Sequence, residues 1–60
     1  MYSPNALALA TIRAAQHAGR AFTPEQRATI VRLLPHVSGV VWALCQLALD
    51  HYPIAVGAQS

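Results

Sequence analysis

The sequence predicts an all-α protein of two to three short helices, packed as an antiparallel helical hairpin or three-helix unit. Three observations carry that prediction. Two helix-capping residues are each followed at once by proline, at Ser3-Pro4 and Thr23-Pro24. The apolar residues after them recur at helical spacing rather than in alternation. No hairpin turn, internal repeat or low-complexity tract interrupts the pattern.

The first helix is expected over about residues 4–18. Ser3 is a good N-cap, and proline suits the first helical position because its missing N–H has no partner there anyway. The segment from Pro4 to Ala18 is rich in alanine and leucine and has no internal glycine. Gly19 then supplies a C-terminal cap.

The second helix, about 24–34, has the strongest local signal. In Thr23-Pro24-Glu25-Gln26 a threonine cap, a proline and a glutamine at the third helical position form a capping box. Glu25 favours the positive helix end. Phe22, just before the cap, is placed to staple onto the stem of Arg27 or onto Ala28. The apolar face is Ile30, Val31, Leu33 and Leu34, with Thr29 and Arg32 outward.

Pro35 breaks the pattern, since the residue before a proline avoids helical angles. A kink in one long helix is the alternative. Ser38 and Gly39 weaken the helix further. The third helix then covers about 36–52 and is stopped by Pro53. Residues 1–53 read as a single small helical domain, and 54–60 as a flexible C-terminal tail.

Sixty residues allow one domain. A core of that size contributes only about 3–5 kcal/mol net. The lone Cys45 cannot close an internal disulfide, so a partner chain is the expected source of added stability. Charged residues are 10% and hydrophobic residues 55%, against about 25% charged in ordinary domains. Such a surface is expected to be covered in part by protein or lipid. The segment beginning Met1-Tyr2-Ser3-Pro4 does not resemble a secretory signal, and a single free cysteine fits a reducing compartment. The expected location is cytoplasmic, with membrane association as the alternative.

The third helix carries the candidate site. Val37, Val40, Val41, Leu44, Leu47 and Ala48 form one wide apolar face, with Trp42 and Leu49 on a flank. One neighbouring helix covers an arc of roughly 100–140°, and this arc is wider. A three-helix monomer is expected to bury the central face and leave Trp42 and Leu49 partly exposed, as in an interaction hot spot. The plain alternative is that Trp42 plugs the core. On the first helix, Ala8, Ile12, Ala15 and Gly19 share a face with Thr11. Either they allow close approach of another backbone, or alanine is present as the best helix former.

Other chemistry finds little to stand on. Glu25 and Asp50 lie on different helices. Cys45 and His51 share a side only loosely, and a free cysteine in an apolar helix is usually a small buried hydrophobe. His17, His36 and His51 lack metal-ligand spacing, so no metal or cofactor is expected. Arg13, His17 and Arg20 make a modest basic stripe fit for anion or phosphate contacts. With the net charge only +2, a DNA-binding helical dimer using Arg13, Arg20 and Arg27 ranks low. From Leu33 to Leu49 no charged residue occurs over 17 positions, the short end of a membrane span. A single-span or interfacial protein with a cytoplasmic N-terminus is therefore the main rival.

The leading expectation is a small non-enzymatic accessory or regulatory protein without a small-molecule substrate. It acts by self-association or by docking on a larger protein. Trp42, Leu49, Val40, Leu44, Leu47 and Val41 are the expected interface.

Overall fold

The computed structural model describes residues 3–55. It contains α1 (Pro4–His17), α2 (Pro24–Leu33), a single 3-10 turn (Leu34–His36) and α3 (Gly39–His51). The all-α expectation holds.

Both predicted helix starts form by the predicted bonds. The Ser3 hydroxyl accepts from the Ala6 N–H at 3.1 Å. Thr23 Oγ1 accepts from the Gln26 N–H at 3.1 Å, and Gln26 Oε1 accepts from the Thr23 N–H at 3.0 Å. Two orphan donors of α2 are thereby satisfied reciprocally. At the far end of α1, the Gly19 N–H donates to Gln16 O at 3.3 Å and the Arg20 N–H to Ala15 O at 2.8 Å. Those two bonds make a Schellman cap. It needs left-handed backbone, which Gly19 adopts at φ 91° and Arg20 adopts at φ 62°.

The α2–α3 connection departs from expectation. Leu34 keeps helical angles although it precedes Pro35, and the chain tightens into a 3-10 turn that accommodates the proline. The real exit is Val37, with φ −97° and ψ 161°, whose side chain turns into the core. Ser38 is extended too, and its N–H donates to Asn5 Oδ1 at 3.3 Å. Gly39 then turns the chain into α3 at φ 61°. So α3 begins at Gly39 rather than at 36, and the uncharged stretch from Leu33 to Leu49 is divided among three elements. Among the described residues, no helix is long and apolar enough to cross a membrane.

Two ties fix the helix directions. The Ser38–Asn5 bond brings the start of α3 to the start of α1. Beyond α3, Ile54 makes a parallel β-bridge with Phe22, in the segment that follows α1. Hence α1 and α3 point the same way, and α2 runs back between their ends. In that bridge the Phe22 N–H donates to Pro53 O at 2.9 Å and the Ala55 N–H to Phe22 O at 2.6 Å. Packed chain thus extends to Ala55, two residues past the boundary expected at 53. The rest of the expected tail, 56–60, lies outside the described residues.

The core is small in both number and volume. It consists of Ala8, Ile12, Ala15, Phe22, Ile30, Val37, Cys45 and Ala48. Among the described residues, Phe22 is the largest side chain to be completely buried. Its ring lies 5.2 Å from that of Tyr52, tilted by 42°. Beyond the local staple expected from its position before the cap, Phe22 plugs the end of the bundle. Ala8, Ile12 and Ala15 are the face that α1 turns inward. The small-residue stripe is therefore used within the chain, to let α1 pack closely on its neighbours.

Candidate interaction surface

Helix α3 carries two apolar seams displaced by one residue. The inner seam is Val41, Cys45, Ala48 and Tyr52. The outer seam is Val40, Leu44, Leu47 and His51. Each repeats at spacings of four, three and four residues, so each forms a stripe along the helix. At about 100° per residue, a one-residue displacement separates the stripes by roughly a quarter turn.

The fold uses the inner seam. Cys45 and Ala48 are buried, while Val41 and Tyr52 pack against the core from its edges. The outer seam faces solvent, with Val40 75%, Leu47 59% and Leu44 40% exposed. Val40, Leu44 and Leu47 were expected in the wide apolar face and, with Val41, at the interface. The buried face is centred one residue later, on Cys45, and draws Val41 against the core. Side-chain size gives the physical reason. α1 presents Ala8 and Ala15, and α3 can approach that surface closely through Cys45 and Ala48. A leucine seam would hold the helices further apart and lose dispersion contacts.

Trp42 and Leu49 part company in the structure. Leu49 packs against the core, whereas Trp42 is 47% exposed. Trp42 stands on the flank of α3 away from the outer seam. One flat contact along α3 can therefore take Val40, Leu44 and Leu47, or Trp42, but not all four. Further exposed apolar residues are Leu7 and Leu9 on α1 and Val31 on α2. Sequence reasoning placed Val31 on the inner face of α2. The signal against that was its quarter-turn offset from Ile30, the one buried residue of the helix.

Polar and reactive groups are dispersed. Arg13 and His17 lie exposed on α1, and Arg20 in the turn after it. Arg13 and His17 are one turn apart on the side away from the buried Ala8, Ile12 and Ala15. Cys45 is buried and His51 exposed, so the two face different surroundings. Burial pushes the Cys45 thiol above its ordinary pKa, which keeps it protonated and unreactive. Among the described residues, no three of His, Cys, Asp and Glu come together as a metal site.

A shallow groove between α1 and α2 is lined by Ala10, Thr11, Ala14, Thr23, Glu25, Gln26 and Thr29. Its hydroxyls and its amide already have local partners. Thr11 donates to Leu7 O and Thr29 to Glu25 O, both at 2.9 Å, and Thr23 and Gln26 satisfy each other in the cap. Comparison with protein-family models, curated proteins and solved structures finds no match to this chain.

Proposed function

We propose that this chain is a small non-enzymatic accessory or regulatory protein that acts through protein–protein contact at the outer face of α3. One observation carries the reading. Val40, Leu44 and Leu47 stand in line on a regular helix and are left exposed by a fold that packs the adjacent seam. Scattered exposed hydrophobes are ordinary on a protein surface. An aligned stripe of them on a rigid element is the form that helix-mediated recognition takes.

The test compares the parent chain with the double substitution Leu44→Glu, Leu47→Glu. Both positions are exposed, so the variant should keep its far-ultraviolet circular dichroism and cooperative melt. Sedimentation measures self-association, and the immobilised chains are compared for proteins retained from the native host. The reading expects the variant to lose self-association, or a specific retained protein, or both. It is refuted if neither property responds. Cosedimentation with phosphatidylglycerol vesicles, abolished by the same substitutions, would assign the face to a membrane surface and also overturn it.

A further inference from the structure

Resting on that reading, we infer that the occupant of the outer seam is a second copy of this chain, with the two α3 helices antiparallel. The seam is self-complementary. Val40, Leu44, Leu47 and His51 are symmetric about the midpoint between Cys45 and Gln46. An antiparallel copy centred there sets Leu44 against Leu47 of its mate, twice, with Val40 against His51 at each end. Leucine meets leucine in the middle, and the two aligned stripes mesh as in a short coiled-coil segment.

The helix ends choose the direction. α3 starts without a side-chain cap on Ser38 and without an acidic residue in its first turn. Its first N–H groups thus carry a positive end that nothing on the same helix offsets. At the other end stands exposed Asp50, in the last turn, where its own helix disfavours a negative charge. Each end lacks what the other has. In the antiparallel pair Asp50 comes level with Val41 of the second copy, within that helix's first turn, and the mismatch is relieved twice. A parallel pair would leave both ends uncompensated. Of the residues flanking the seam on that side, Ala43 and Gln46 are uncharged and Asp50 carries the charge.

Helix α3 is 13 residues long, or about 20 Å. An interface of that length falls below about 1,200 Å², the class of weak and transient contacts. A dissociation constant on the order of 100 µM is expected. Trp42, on the other flank, stays outside the contact, so its emission should not shift as the chain associates.

Sedimentation velocity from about 10 µM to about 1 mM should show the weight-average mass rising towards twice the monomer. Orientation is read by oxidising a mixture of Val40→Cys chains and His51→Cys chains, each with Cys45→Ala. The mixed disulfide should exceed its statistical half. Disulfides joining like with like in excess would mean a parallel pair and overturn the proposal. So would a monomer at every concentration.

Asp50→Arg separates pairing from a purely structural role. It should stabilise the monomer, because a cation suits the end of its own helix, yet weaken the dimer by about 3- to 30-fold. An unchanged dimer overturns the orientation argument. If the parent is monomeric while Leu44→Glu, Leu47→Glu loses a retained host protein, the second-copy inference falls alone. If mass and retention both ignore those substitutions, the protein-contact reading falls with it.

Discussion

Replacing Phe22 asks the most of this fold. Its ring is completely buried and stacks on Tyr52 at 5.2 Å. Removing a buried phenylalanine to alanine costs about 3–5 kcal/mol, and a core this small supplies only about 3–5 kcal/mol in all. Phe22→Ala should therefore be unfolded, or nearly so, at 25 °C. Phe22→Leu keeps most of the volume and gives a measurable intermediate. The change of shape costs up to about 1.5 kcal/mol, and loss of the ring pair about 0.5–1.5 kcal/mol more. The sum of about 2 kcal/mol lowers the midpoint by roughly 8–16 °C in a domain of this size. Thermal melts by circular dichroism at about 5 µM, well below the expected dissociation constant, keep self-association out of the measurement. Pairing Phe22→Leu with Tyr52→Leu in a double-mutant cycle should return a coupling of about 0.5–1.5 kcal/mol. A hydrophobic staple at the α2 entrance would cost far less. If Phe22→Ala melts cooperatively within a few degrees of the parent, Phe22 is not the plug of the bundle and the core assignment fails.

Other changes test other links. Thr23→Ala removes half of the capping box and should cost about 1 kcal/mol in urea titrations; an unchanged midpoint would misplace the start of α2. Arg20→Gly relieves left-handed backbone at φ 62° and should stabilise by about 0.5–1 kcal/mol once the added chain entropy is deducted. Gly39→Ala meets open space but keeps a φ of 61°, so it should destabilise by about 0.5–1 kcal/mol once the same entropy term is deducted; tolerance would mean that α3 starts differently. Burial raises the Cys45 pKa in the folded state. The stability this contributes is fully present below the unfolded pKa, about 8.5, and is lost as pH rises through the higher folded pKa. Urea midpoints should fall across that window in the parent more than in Cys45→Ala, and equal slopes would place the thiol in water.

Much of the fold was legible because its signals are local. Ser3-Pro4, the Thr23–Gln26 box and Gly19 each act over one helical turn, through bonds between near neighbours. Residues at that range meet whatever the rest of the chain does. The α2–α3 boundary was less legible. Its position depends on Val37 reaching the core and on Asn5, thirty-three residues away, holding the Ser38 N–H. The core role of Phe22 was illegible for the same reason: its partners, Tyr52, Pro53 and Ala55, are distant in sequence.

That α3 has more apolar surface than one neighbouring helix can cover follows from its residues alone. Spacing alone shows this, since Val40, Leu44 and Leu47 and their successors Val41, Cys45 and Ala48 are all apolar. Which seam turns inward was decided only by tertiary structure. Two stripes a quarter turn apart are equally periodic, and neither carries a local mark of burial. The choice depends on the alanine-lined surface of α1, on which small side chains such as Cys45 and Ala48 allow a closer approach than a leucine seam would. That packing leaves Val40, Leu44 and Leu47 on the outside, and separates them from Trp42, with which the wide arc had grouped them.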